Sequence, residues 1–223
     1  MSTTTRWWWI RHGPVNADGR IYGQFDLPAD CSNRGLFKGT ADRLPPGALW
    51  LTSHLQRTRQ TAAAMLAERP ALADGAATPE ALLAAEPRLA EQHFGDWQGL
   101  THAELAETRG DAWHRFWLTP AHETPPGGES FVDLIARVGS AITDHSAAQP
   151  ERDIVAVAHG GTIRAALALA LDLDPEKALA FAIDYCSLTC IDFIAGAPGS
   201  HDPEAKGVWR VTAVNISPSD SVD

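Results

Sequence analysis

The chain has 223 residues, of which 28 are acidic and 18 basic, giving a formal net charge of −10. This balance argues against a nucleic-acid or anionic-membrane surface, but cations that converge in one pocket could still bind a small anion. The length fits one large domain, and the composition, 44% hydrophobic and 21% charged, is typical of a soluble globular protein. The cysteines Cys31, Cys186 and Cys190 lack the paired spacing of a zinc site or a disulfide framework. We therefore expect a reduced, cytoplasmic setting, and the short apolar runs predict neither a signal peptide nor a membrane span.

The first predicted element is a strand. Four bulky apolar residues, Trp7 to Ile10, predict a strand buried on both faces, and Arg11-His12-Gly13 follows at once. In open α/β sheets, ligands bind at the carboxyl ends of the strands. Gly13 allows a sharp turn there, and Pro14 prevents the strand from continuing. Taken alone, this stretch fits a core strand whose histidine has no function as well as it fits a ligand-binding strand end.

A second unit combines a strand with a helix. A Gly-punctuated loop over residues 16–23 leads to Ser32, a candidate cap for a helix that extends towards Leu44. Residues 48–52 predict a buried strand, and Ser53 and Gln56 then have the spacing of a capping box. This places Arg57 in the first turns of a helix just past a strand end. Alone, such an arginine is more often solvated.

A loop rich in glycine and aromatic residues spans residues 89–99. Thr101 and Glu104 then form a second capping box that opens a helical stretch. An aromatic stripe at helical spacing within that stretch predicts core packing or a pocket lid. Its members are Trp113, Phe116 and Trp117.

The second half of the chain repeats the strand-to-histidine junction. Ser130 and Asp133 cap a helix, and residues 153–158 predict a buried strand that leads into His159-Gly160. Free backbone N–H groups at the start of the following helix would favour an anion.

The C-terminal part predicts a helix and two strands. Asp174-Pro175 opens a short helix to about Ile183. Residues 187–194 and 208–215 predict two late strands. The alternation of strands and helices predicts an α/β fold, a three-layer α/β/α sandwich with a mostly parallel central sheet. We expect one domain over residues 1–216 and a disordered tail over 217–223.

Parallel strands would bring Arg11, His12, Arg57 and His159 to one edge of the sheet. Two guanidinium groups match the oxygens of a phosphoryl group, and a histidine can accept that group covalently. The leaving alkoxide also needs a proton donor. Glu91 is our candidate, because apolar neighbours such as Phe94 and Trp97 would favour its protonated form.

The motifs together resemble the histidine phosphatase superfamily, branch 1, the phosphoglycerate mutase-like group. The resemblance rests on five segments that follow the family's order and cover nearly the whole chain. They are Arg11-His12-Gly13, Ser53-x-Leu55-x-Arg57 with Gln60-Thr61-Ala62, Leu89-x-Glu91-x-x-Phe94-Gly95-x-Trp97-x-Gly99, Gly127-Gly128-Glu129-Ser130, and His159-Gly160-Gly161-Thr162-Ile163-Arg164.

The resemblance implies a role for each matching residue. His12 would be the nucleophile that forms a phosphohistidine, while Arg11, Arg57 and His159 would hold the phosphoryl oxygens. Glu91 would act first as acid and then as base for water.

Further residues are candidates for binding. Asn16 matches a phosphate-contacting asparagine of the family if a short gap follows Arg-His-Gly, and Gly160 lies where the second helix begins. Residues that would line the substrate pocket are Tyr22, Gly23, His54 and Trp97.

We predict a metal-independent and cofactor-free phosphomonoesterase, a monomer or homodimer that acts on a small-molecule phosphate ester and has no nucleic-acid or membrane partner. The loops 22–28 and 93–95 are similar to those of α-ribazole phosphatase-like members, which makes α-ribazole phosphate a candidate substrate. A cofactor-dependent phosphoglycerate mutase is the first alternative, but residues 117–124 lack the arginines of the mutase insert. A non-catalytic binding module is the second alternative, and the presence of both His12 and Glu91 disfavours it.

Overall fold

A computed structural model describes residues 3–73, 78–110, 120–195 and 207–219. Within them lies one six-stranded sheet in the order β3-β2-β4-β1-β5-β6. Its strands are β1 (Thr3–Arg11), β2 (Leu49–Thr52), β3 (Leu83–Ala85), β4 (Asp153–Ala158), β5 (Leu188–Ala195) and β6 (Val208–Ile216). The first four are mutually parallel, whereas β5 runs antiparallel to both β1 and β6. The prediction of a mostly parallel sheet is therefore confirmed.

Helices cover both faces of the sheet. They are α1 (Arg34–Ala41), α2 (Gln56–Glu68), α3 (His102–Arg109), α4 (Phe131–Ala148), α5 (Gly160–Leu171) and α6 (Pro175–Ala178). Short 3-10 turns occupy Pro70–Ala73, Pro79–Leu82, Pro87–Leu89 and Gly95–Trp97. One buried cluster joins the sheet to α4 and α5, and a second joins the opposite face to α1 and α2. These two clusters account for the predicted three layers.

The tryptophans of β1 divide between the two faces of the sheet. Trp7 and Trp9 are fully buried and stack with ring centroids 5.1 Å apart, because alternate residues of a strand share a face. Trp8 packs, partly buried, against the opposite cluster. The indole Nε1 of Trp7 donates to Ser146 Oγ at 3.0 Å, and that of Trp8 donates to Asp153 Oδ1 at 2.8 Å. These contacts fix the strand that leads into His12.

The topology gathers several chain segments at one edge. The parallel strands β1, β2 and β4 all end there, so that residues 11–13, 53–57 and 159–161 meet. Because β5 is antiparallel to β1, with Ile10 paired to Leu188, it brings its amino-terminal end to the same edge. The residues just before β5 therefore belong to the site as well.

Three predicted helix boundaries were wrong. The cap of α1 is Asn33 rather than Ser32, and α2 begins after Leu55 with no side-chain cap. The helix that follows Asp174 ends at Ala178 and does not continue to Ile183. By contrast, the capping boxes at Thr101 and at Ser130 are both present. Ser53, the predicted cap of α2, instead has its hydroxyl in contact with His159.

Some predictions concern residues outside the described ranges. The aromatic stripe of Trp113, Phe116 and Trp117 is one of them. In the expected tail, residues 217–219 are described, and Arg43 Nη1 donates to Ser217 O at 2.8 Å, whereas residues 220–223 lie outside the described part. None of the described helices is both long and apolar enough to cross a membrane.

Candidate active site

His12 lies directly after β1 and is 1% exposed. Its backbone N–H donates to Ala158 O at 3.0 Å, which fixes it against the end of β4. Its ring Nδ1 lies 2.7 Å from Gly13 O. Because a carbonyl oxygen only accepts, Nδ1 must carry the proton. The lone pair of Nε2 therefore remains available.

The surroundings of His12 keep the imidazole neutral. Burial, together with the positive charges of Arg57 and Arg11, lowers the pKa of His12 to about 3. Neutral imidazole with a free Nε2 is the nucleophilic form of histidine. At neutral pH this side chain is therefore ready to attack an electrophile.

Gly13 allows the chain to turn immediately after His12. Its N–H donates to Thr61 Oγ1 at 2.7 Å, and the Thr61 hydroxyl donates in turn to Arg57 O at 2.7 Å. A Cβ at Gly13 would lie only 3.0 Å from Phe37 Cζ. Helix α2 therefore positions the turn of the nucleophile as well as Arg57.

Arg57 is 0% exposed, contrary to the solvated position that is usual for an arginine in the first turn of a helix. Its Nη1 donates to Phe25 O at 2.8 Å, and its Nη2 donates to Gly23 O at 2.6 Å. Burial lowers the pKa of Arg57, although the negative charge of Glu91 opposes the shift. The loop over residues 22–25 thus holds the guanidinium group through its backbone.

His159 lies at the amino end of α5 and is fully buried. Its Nδ1 accepts a hydrogen bond from Arg57 Nε at 3.3 Å, and its Nε2 lies 2.9 Å from Ser53 Oγ. The rings of His159 and His12 are 5.1 Å apart, centroid to centroid. Burial, followed by the proximity of His12 and Arg57, holds the pKa of His159 well below its usual range. The ring of His159 is therefore neutral, and contacts with Arg57 and Ser53 hold its two nitrogen atoms in place.

Arg11 completes the cluster from the end of β1. Its Nη1 donates to Ile183 O at 2.5 Å, and its Cζ lies 3.9 Å from the ring centroid of Tyr185. Its Nε is buried without a hydrogen-bond partner among the described residues. Tyr185 therefore orients Arg11, and the Nε donor of Arg11 remains available to a ligand.

No carboxylate in the described part of the chain forms an ion pair with Arg11 or Arg57. A buried charge without a counter-ion is costly. An anion bound beside His12 would offset that cost. The site is thus electrostatically incomplete without an anion, although the chain as a whole is acidic.

Glu91 faces this cluster from the loop that precedes α3. Its Oε1 accepts from the backbone N–H of Gln92 at 2.9 Å, and its Oε2 accepts from Gly161 N at 3.3 Å. A Cβ at Gly161 would overlap with Glu91 Oε1. Only glycine at this position allows the carboxyl group to approach the start of α5.

An ion pair holds the Glu91 loop. Arg137 of α4 binds Glu129 through Nη2 at 2.6 Å and donates to Ala90 O through Nη1 at 3.2 Å. Glu129 Oε1 also accepts from His93 N at 2.9 Å. The segment Gly128-Glu129 therefore links the acid-bearing loop to α4.

A cavity of about 190 Å³ opens beside Glu91. Apolar side chains form much of its wall, and Arg164 of α5 contributes a cation. The lining includes Glu91, Trp97, Phe131, Gly161, Arg164 and Leu179. Above the Trp97 ring, Arg109 Cζ lies 4.6 Å from the ring centroid, and Arg109 pairs with Glu123 at 2.8 Å.

The structure brings most of the predicted residues together. Arg11, His12, Arg57 and His159 form one cluster. Gly160 lies beside it, since a Cβ there would be 3.8 Å from Arg11 Nε. Tyr22 joins it as well, with its ring centroid 5.0 Å from Arg57 Cζ.

Asn16 and His54 are not brought into the cluster. The side chain of Asn16 accepts from Asp18 N at 3.2 Å and so closes its own exposed turn. His54 is exposed and does not line the cavity beside Glu91. Asn16 lies in a loop beyond the end of β1, whereas His54 follows the end of β2 with an exposed side chain, so a position after a strand does not by itself bring a residue into the cluster.

Sequence reasoning missed two contributors. Tyr185 lies with its ring centroid 5.6 Å from that of His12. Burial, followed by the hydrogen bond to Tyr185, raises the pKa of Tyr22 to about 12. Ser53 was interpreted as a helix cap, but its hydroxyl contacts His159. Tyr185 could have been identified if β5 had been predicted to run antiparallel to β1, because the residues before β5 then lie at the site.

Residues 7–202 match the model of the histidine phosphatase superfamily, branch 1. The chain belongs to this family, which confirms the resemblance drawn from its motifs. The fold agrees: a solved mycobacterial glucosyl-3-phosphoglycerate phosphatase superposes with a TM-score of 0.77 at 29% identity, over 97% of this chain and 100% of that one.

The proteins that are similar to this chain in sequence include phosphatases and a mutase. The chain is 36% identical to a glucosyl-3-phosphoglycerate phosphatase of Mycolicibacterium vanbaalenii, over 75% of each chain. It is 30% identical to a 2,3-bisphosphoglycerate-dependent phosphoglycerate mutase of Gloeobacter violaceus, over 79% of this chain and 80% of that one. It is 24% identical to an adenosylcobalamin/alpha-ribazole phosphatase of Salmonella typhimurium, over 92% and 98%. The family and the phosphatases among these relatives support the predicted phosphoric monoester hydrolase.

Proposed function

We propose that this protein hydrolyses a small-molecule phosphomonoester through a phosphohistidine at His12. The observation that carries the proposal is the pairing of a neutral, buried His12 with two arginines that lack a carboxylate partner among the described residues. A phosphate dianion supplies the missing negative charge and presents its phosphorus atom to a nucleophile.

In the first step, Nε2 of His12 attacks phosphorus while Arg11 and Arg57 stabilise the charge on the phosphoryl oxygens. The bond from phosphorus to the ester oxygen breaks. Glu91 gives its proton to that oxygen, so the alcohol leaves uncharged. The hydrogen bond between His12 Nδ1 and Gly13 O stabilises the positive charge that develops on the imidazole ring.

In the second step, Glu91, now a carboxylate, takes a proton from a water molecule. The water oxygen attacks phosphorus, the bond to His12 Nε2 breaks, and inorganic phosphate is released. The histidine returns to its neutral form and Glu91 to its acid form. The cycle consumes one water molecule and needs no other co-reactant.

Two substrates are candidates. Glucosyl-3-phosphoglycerate is favoured by the relative with 36% identity over 75% of each chain. α-Ribazole phosphate, expected from the loops around Tyr22 and Phe94, is supported by a relative with 24% identity. We place the glycerate ester first.

A phosphoglycerate mutase is the second candidate, favoured by the relative with 30% identity. In a mutase the phosphohistidine passes its phosphoryl group to a second phosphoglycerate rather than to water. The described residues 120–124 contribute Pro120 and Glu123, but no arginine, to the cavity wall. Incubation with 3-phosphoglycerate and 2,3-bisphosphoglycerate distinguishes the two, since a mutase forms 2-phosphoglycerate faster than free phosphate.

The direct test is hydrolysis of p-nitrophenyl phosphate in excess EDTA by the wild type and by His12→Ala. We expect turnover in the wild type and a loss of at least about 10³-fold in the variant, since a covalent route is removed. A phosphoenzyme that is labile in acid and stable in base supports the proposal. An acid-stable phosphoenzyme, or full activity in His12→Ala, contradicts it.

A further inference from the structure

Among the described residues that line the cavity beside Glu91, Arg164 is the only cation, and the proposed reaction does not use it. It belongs to the second-histidine motif and lies on α5, one turn after Gly160. Its Nε donates to Phe181 O at 2.8 Å, which anchors the guanidinium group. Its two terminal amino groups have no hydrogen-bond partner within the described part of the chain. An anchored guanidinium group in a cavity is prepared to bind a planar anion.

The neighbours of Arg164 do not satisfy its charge. Burial lowers the pKa of Arg164, while Glu91 acts against this shift and Arg11 adds to it. No carboxylate of the described residues lies within ion-pair distance of it. Glu123, the other acidic residue of the cavity wall, is paired with Arg109.

Arg164 also lies close to the phosphate cluster. A Cβ at Gly160 would be 3.5 Å from Arg164 Nη1 and 3.8 Å from Arg11 Nε, so the two guanidinium groups flank the same glycine. Arg11 belongs to the cluster around His12, whereas Arg164 lines the cavity on the side of Glu91. Since Glu91 protonates the ester oxygen in the proposed reaction, this cavity receives the alcohol part of the substrate.

We infer that Arg164 binds a carboxylate on the alcohol part of the substrate and thereby selects phosphomonoesters of hydroxy acids, of which the glycerate ester proposed above is one. The inference rests on the proposed phosphatase function and specifies its substrate class. The bidentate fit of guanidinium to carboxylate accounts for the choice of ligand. Apolar residues such as Phe131 and Leu179 would contact the rest of the molecule.

The test compares two substrates that differ in one group. 3-Phosphoglycerate and glycerol 3-phosphate share the phosphate, the carbon chain and the central hydroxyl, and only the first has a carboxylate. We expect the wild type to have a higher kcat/KM for 3-phosphoglycerate. In Arg164→Gln the ratio of the two kcat/KM values should fall about 10- to 100-fold, as for the loss of a charged hydrogen-bond pair.

Two controls keep the outcomes separate. Arg152→Gln removes the same charge from an exposed arginine at the opposite edge of the sheet and should leave the ratio unchanged. Thermal unfolding of Arg164→Gln checks that the fold persists, and binding of 3-phosphoglycerate to His12→Ala, with and without the second change, measures recognition without turnover.

An equal loss on both substrates in Arg164→Gln would overturn the inference, because Arg164 would then serve the phosphate or the fold. A wild-type ratio near one would overturn it too. Absence of p-nitrophenyl phosphate hydrolysis in the wild type would instead refute the proposed function itself.

Discussion

Ser53 Oγ lies 2.9 Å from Nε2 of His159, and both side chains are fully buried. Since His159 Nδ1 accepts from Arg57 Nε, the ring proton is on Nε2 and is donated to the serine hydroxyl. Arg57 and Ser53 together therefore fix the tautomer of a histidine that belongs to the anion site. When a phosphoryl oxygen approaches Nδ1, the same hydroxyl can reverse its role and donate to Nε2.

Ser53→Ala should lower kcat/KM about 10-fold and the free energy of unfolding by about 1–3 kcal/mol, because a buried N–H loses its acceptor. The ¹⁵N chemical shifts of His159 should report a changed tautomer. Thr58→Val is the matched control, since the Thr58 hydroxyl contacts Ser53 at 3.1 Å but not His159. Wild-type kinetics and unchanged His159 signals in Ser53→Ala would refute this positioning role.

Glu91→Gln should affect substrates according to their leaving groups. Nitrophenolate needs little protonation, whereas an alkoxide needs the acid, so we expect a loss of about 10²–10⁴ on alkyl phosphates and a much smaller loss on p-nitrophenyl phosphate. Steady-state kinetics on both substrates measure the difference. Equal losses on the two would remove Glu91 from the role of acid.

Gly161→Ala should resemble Glu91→Gln without removing any polar group. The new Cβ would displace the Glu91 carboxyl group and weaken the hydrogen bond between Gly161 N and Glu91 Oε2. The same dependence on the leaving group is expected, although smaller. Gly139→Ala on α4 is a control away from the site, where the nearest atom is Leu169 Cδ1 at 3.2 Å. A loss that is independent of the leaving group would point to general damage to α5.

Stability should fall as the pH is lowered from 7 to 5. The pKa of His12 is about 3 in the folded protein and near 6.5 when unfolded, so between these values the unfolded chain binds an additional proton. The free energy of unfolding should fall by at most about 1.4 kcal/mol per pH unit through this one group. The stability that neutral His12 contributes is fully present only above about pH 6.5. His159, whose pKa is also lowered, acts in the same direction.

Urea unfolding in phosphate-free buffer measures this dependence, since bound phosphate would itself stabilise the fold. His12→Asn should give a shallower slope between pH 7 and pH 5, because one of the two buried imidazoles is gone. Parallel slopes for the variant and the wild type would mean that His12 becomes protonated in the folded protein.

The sequence allowed prediction of those site residues that follow parallel strands. Arg11, His12 and His159 continue β1 and β4 directly, so the topology of the sheet placed them. Tyr185 could not be placed in this way, because it precedes a strand whose antiparallel direction depends on long-range pairing. Local spacing gave Ser53 a capping role, but burial beside His159 overrode it. The direction in which Arg164 points depends on Phe181 O, a partner distant in the chain.

The tryptophans of β1 also affect the register of the strand, and with it the face of the sheet to which His12 points. Because three tryptophans stand in a row, a slip of one residue would still place tryptophans on both faces, although the face that holds two would then hold one. Such a slip would turn His12 to the opposite face of the sheet. Side-chain partners distinguish the two registers, because Ser146 and Asp153 each accept from one particular tryptophan and Asp192 pairs with Arg6. These side-chain contacts along the strand thus help to determine which way the ring of His12 points.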